Sequence, residues 1–164
     1  MTPARLRTVV FALILLFFLN IVCLGLVDLF TFKVVPGGGM SGNGNPALAF
    51  VFLLIPINLA FLAILVTLTQ YLFLNGFREG KFSVEWLIIV FCLGILLGWL
   101  AKLHADGIFS TLGGKPGNPR SLLIGRSLFN QYTNTVFFNY ITFAIGVMAA
   151  IVVGYVTAFV RYRS

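Results

Sequence analysis

Four apolar runs dominate this chain, over residues 9–32, 47–74, 84–103 and 136–160. A helix crosses the hydrocarbon of a bilayer in about 20 residues, and each run reaches that length. A chain of 164 residues has no room to hide so much apolar surface from water: 60% of it is hydrophobic and only 9% charged, where a soluble domain carries about 25% charged residues. The pattern predicts an all-α integral membrane protein, with four transmembrane helices in a bundle forming a single membrane domain. Its first partner is the lipid bilayer. The run that follows Arg5 and Arg7 is longer than the core of a signal peptide and has no small-residue cleavage site after it, so it is expected to stay as a span.

Charge sets the expected orientation. The chain holds eleven Lys and Arg against four Asp and Glu. Arg5, Arg7, Arg78, Lys81, Arg161 and Arg163 fall in two short tails and one short connection, whereas Lys33, Lys102, Lys115, Arg120 and Arg126 fall in or beside two longer connections, 33–46 and 104–135. Basic residues concentrate on the cytoplasmic side of short loops. The expectation is a plasma (inner) membrane protein with both termini cytoplasmic and those two loops external. The basic excess flanks apolar blocks instead of forming a face with interleaved aromatics, so no nucleic-acid partner is predicted. Trp86, Trp99, Tyr132 and Tyr140 fit interfacial aromatic belts.

The first external loop contains VVPGGGMSGNGNP, residues 34–46, with five glycines between Pro36 and Pro46. A phosphate-cradling loop needs a strand before it, a helix after it and a Lys with Ser or Thr at its end. Here both flanks are expected membrane helices and no Gly-Lys-Ser/Thr follows, so a slack hairpin between spans is expected. Ser41-Gly42-Asn43 resembles a triplet of membrane glycerol-phosphate acyltransferases, whose motif continues with residues missing here. In the second loop, SLLIGRSLFNQYTNT from Ser121 mixes apolar and polar residues and predicts a short interfacial helix before the last span, capped by Ser121.

Few residues carry chemistry. The single histidine, His104, has Asp106 two residues on, and Asp28 lies near the same expected surface. A carboxylate–His–carboxylate set is able to bind a divalent metal or move a proton, which makes these three the candidate catalytic residues. They are too sparse to predict a metal, and no cofactor is predicted, since one loop histidine gives no ligand pair for haem. Cys23 and Cys92 lie apart in apolar runs, without the paired cysteines of membrane thiol oxidoreductases, and read as small apolar fillers. All four acids sit near span ends or in loops, which argues against coupled transport. Pro56 predicts a kink in the second span. Asn58 and Asn20 lie in apolar runs, where an amide needs a partner on another helix.

The strongest pattern is steric. Gly94 and Gly98 are four apart in the third run; Gly146, Ala150, Gly154 and Ala158 keep that spacing in the fourth. Small residues on one face let another backbone approach closely. These features predict a non-enzymatic accessory, assembly or regulatory subunit that works through helix contacts, with a membrane-protein partner or a homo-oligomer. The competing classes are a small membrane enzyme or lipid-handling protein using Asp28, His104 and Asp106, and a small transporter or channel.

Overall fold

The computed structural model describes residues 1–34, 42, 44–81 and 85–164. The glycine run expected to form a slack hairpin falls mostly outside these. The chain forms α1 (Pro3–Phe30), α2 (Leu48–Arg78), α3 (Glu85–Thr111), the four-residue α4 (Asn134–Phe137) and α5 (Tyr140–Arg163). Four helical stretches are long and apolar enough to cross a membrane: α1, α2, α3, and α4 together with α5.

Local chemistry explains the helix bounds, several of which differ from the apolar runs. Thr2 caps α1 by accepting from the Arg5 amide at 3.4 Å, and Pro3 follows at the first helical position, where its missing N–H does no harm. The helix therefore starts six residues before the apolar run. α2 runs through Pro56 and ends at Arg78. α3 continues eight residues past Leu103, so His104 and Asp106 belong to a helix and not to a loop. It stops at Gly113 (φ +74°) and Gly114, whose amide bonds the Phe109 carbonyl at 2.8 Å, as glycine does at helix C-termini. α5 begins at Tyr140 because Asn139 caps it: its Oδ1 accepts from the amides of Ile141 and Thr142 at 2.8 and 2.9 Å.

The interfacial helix expected from Ser121 is not formed; residues 121–133 are turns and bends. Ser121 Oγ accepts from the Leu123 amide two residues on and donates to the Gly114 carbonyl. Asn130 Oδ1 accepts from the Tyr132 amide, and the Thr133 hydroxyl accepts from the Asn130 amide. Side chains that bond neighbouring backbone in this way compete with helix. Gly125, at φ +71°, turns the chain where other residues would be strained.

The packing is uneven. α2 lies against both α1 and α5, and α3 makes its main backbone contacts with α5 and α4. One apolar core joins α1, α2 and α5 through Cys23, Leu24, Val27, Leu54, Phe61 and Phe143. A smaller one, at the end of the molecule away from both termini, joins Phe109, Leu112, Leu123 and Tyr132. We call that end distal. Phe109 is the buried residue that α3 contributes to the distal core, with Ala105 and Ile108 partly buried against it, and its apolar stretch has no buried residue. Among the described residues the arrangement is a three-helix core with a fourth helix at its side.

Candidate functional site

A cavity of about 500 Å³ opens at the distal end between the end of α1, the end of α3 and the turns before α4. Asp28, Lys33 and His104 line it, together with Thr31, Thr111 and Tyr132. Lys33 Nζ lies 3.9 Å from Asp28 Oδ1, with both side chains largely exposed, so this ion pair contributes little to stability. His104 Nε2 is 3.1 Å from the Thr135 carbonyl. A carbonyl only accepts, so Nε2 is the donor in this bond. The half-buried ring thereby ties α3 to the start of α4.

Asp28 and His104 thus share one cavity, and Asp106 does not line it. Helical geometry accounts for this: two residues along a helix are turned by about 200°, so the exposed Asp106 points away from the His104 face. The three-residue set is not brought together, and among the described residues no three His, Cys, Asp or Glu side chains form a metal-ligating group. The arrangement offers a cation, an anion and an imidazole in a mixed polar and apolar recess.

Beside the cavity lies a polar clamp with no local signal in the sequence. Asn45 Nδ2 donates to Asn134 Oδ1 at 2.8 Å, and Asn134 Nδ2 donates back to Asn45 Oδ1 at 2.9 Å. The same Asn134 nitrogen reaches Thr31 Oγ1 at 3.3 Å. The Phe32 amide bonds the Gln131 carbonyl at 2.9 Å. The end of α1, the entry to α2 and the start of α4 are therefore joined through a fully buried Asn134. Buried amides are retained where their donors and acceptors are met, and here they are.

The small residues fall into two environments. On α5, Ala150, Gly154 and Ala158 are buried. A Cβ on Gly146 would touch Leu62 at 3.6 Å; one on Gly154 would meet Thr69 Cβ at 2.8 Å and the Gln70 amide at 3.1 Å. This face rests on α2. On α3, a Cβ on Gly94 or Gly98 would meet nothing within 4 Å. The asparagines of the apolar runs make no bond to each other: Asn20 Nδ2 donates to the Leu16 carbonyl at 2.8 Å, and the buried Oδ1 atoms of Asn20 and Asn58 have no partner. Cys23 is a buried free thiol and Cys92 an exposed one.

Fold and site define a class: an all-helical protein with four helices of membrane-crossing length and composition, and a recess at the end away from the termini. No family model matches the chain, and comparison with curated proteins and with solved structures finds none that matches.

Proposed function

We propose that this chain is a multi-pass protein of a plasma (inner) membrane, with both termini cytoplasmic, acting as an accessory, assembly or regulatory subunit through contacts of α3 with a transmembrane helix of another protein. The observation that carries this reading is the open face of α3. Its 27 residues contribute one buried side chain, and Gly94 and Gly98 face empty space. Lipid tails are as apolar as leucine, so helices associate in a bilayer through close packing, and small residues permit it. The equivalent face of α5 is already occupied by α2. Phe91, three residues before Gly94 and 64% exposed, is the place to look. A photo-crosslinking residue there should give, in native membranes, a discrete adduct with a different protein that is lost in Gly98→Leu. Adducts with lipid alone, or only with a second copy of this chain, contradict the proposal.

The orientation rests on Arg5, Arg7, Arg78, Lys81, Arg161 and Arg163, which lie in short segments at the end carrying both termini. In a background lacking Cys23 and Cys92, cysteines at Ser41 and Thr111 should react with an impermeant thiol reagent on intact cells, and one at Ser83 should not. The reverse pattern overturns the orientation.

A second reading, lipid handling at the distal recess, is favoured by one observation: Lys33, Asp28 and His104 line a single cavity at the level expected for headgroups. Loss of bound lipid in Asp28→Ala and His104→Ala, with folding intact, would support it over the first.

A further inference from the structure

Asn20 and Asn58 occupy matching places on one helix seam. Buried positions of α2 recur as Val51, Leu54, Phe61, Leu65 and Leu68, and Asn58 fills the gap in this alternation of three and four. On α1 the buried positions are Asn20, Cys23, Leu24 and Val27. The two helices run antiparallel, and their ring pairs give the register. Phe30 lies 4.8 Å from Phe50, and Phe17 lies 6.3 Å from Phe61. Residue numbers in these facing pairs add up to 80 and 78; those of Asn20 and Asn58 add up to 78. The asparagines stand at one level, midway along the seam.

Asn20 has no exposed surface. One of its amide hydrogens is used on Leu16, and its Oδ1 accepts nothing. Asn58 Oδ1 is likewise buried and accepts nothing. A carbonyl oxygen left dry in apolar surroundings is strongly unfavourable, and no bulk solvent reaches this depth to relieve it. Neither oxygen is able to donate to the other. We propose that α1 and α2 hold one water molecule at this level, which donates one O–H to Asn20 Oδ1 and the other to Asn58 Oδ1.

The stoichiometry favours water. Two orphan acceptors require two donors, which one water supplies, and buried waters sit where two to four polar partners converge. A hard cation would take about six oxygen ligands, and the nearest acid on α1 is Asp28, two turns away. The site is independent of the open face of α3 and of the distal recess.

The test uses the full chain, with asparagine labelled with nitrogen-15, in vesicles of phosphatidylcholine and phosphatidylglycerol. Water-edited solid-state NMR should show rapid transfer of water magnetisation to the Asn20 side-chain amide despite its complete burial. Most of that signal should be lost in Asn58→Leu and kept in Asn58→Ser, which retains an acceptor. The Asn134 side-chain resonance, unchanged, reports that each variant is folded. Transfer to the Asn20 side chain no faster than to the backbone amide of Asn20 overturns the proposal, as a direct Asn20–Asn58 amide bond would produce. Transfer undiminished in Asn58→Leu also overturns it, because the water is then not shared.

Discussion

α5 and α3 carry the same sequence device and put it to different use. Both have small residues four apart. On α5 they are buried against α2, with no room for a Cβ on Gly154 beside Thr69; on α3 the glycines face open space. Spacing therefore marks a face that a backbone is able to approach, and leaves open which backbone does so. What holds α3 is concentrated at its distal end, in Phe109 and in the His104 bond to Thr135. Along the rest of its length α3 approaches α5 without burying a side chain.

This contrast can be broken most forcefully at its anchor. Phe109→Ala should destabilise the distal core by about 3–5 kcal/mol, the usual range for an emptied phenylalanine site. The check is faster proteolysis of the 112–133 turns, with the contacts of α5 on α2 retained. A smaller effect is expected from Gly154→Leu, about 1–3 kcal/mol for overpacking a tight contact. Val153, 48% exposed and turned away from α2, should tolerate leucine at matched expression. Equal detergent stability of Gly154→Leu and Val153→Leu would show that the α5 face is not a packing face. His104→Ala removes one hydrogen bond and should lower stability by about 0.5–1.5 kcal/mol. Divalent-metal affinity, measured by calorimetry, should not change, because Asp106 points away from the ring. Stoichiometric metal lost on that substitution would show that a ligand set does assemble there.

The helices were legible in the sequence because about 20 consecutive apolar residues leave few alternatives. Their ends were less so. Hydropathy falls at Lys102 and His104, whereas helical hydrogen bonding runs on to the Gly113-Gly114 stop. Had α3 been extended to those glycines, the opposite facing of His104 and Asp106 would have followed from helix geometry alone. The stretch from Ser121 misled for a different reason. Its polar residues look like the wet side of an amphipathic helix, but they bond their own neighbouring backbone. The Asn45–Asn134 clamp joins positions 89 residues apart, and nothing local in either asparagine announces the other. Asp28 and His104 line one cavity at the end of the molecule where the sequence placed both; the standing apart of α3 was not readable, since its composition resembles that of the packed helices.

α3 lies outside the main core that the chain builds for itself. Gly98→Leu tests this most directly, by thermal unfolding of the purified protein in mild detergent. With nothing within 4 Å of a Cβ at Gly98, the midpoint should stay at the wild-type value, the change in stability falling within about 0.5 kcal/mol as for substitutions that touch nothing. A midpoint lowered as far as that of Gly154→Leu would mean that the Gly94–Gly98 face packs inside the chain's own bundle, and would contradict both the peripheral placement of α3 and the function drawn from it.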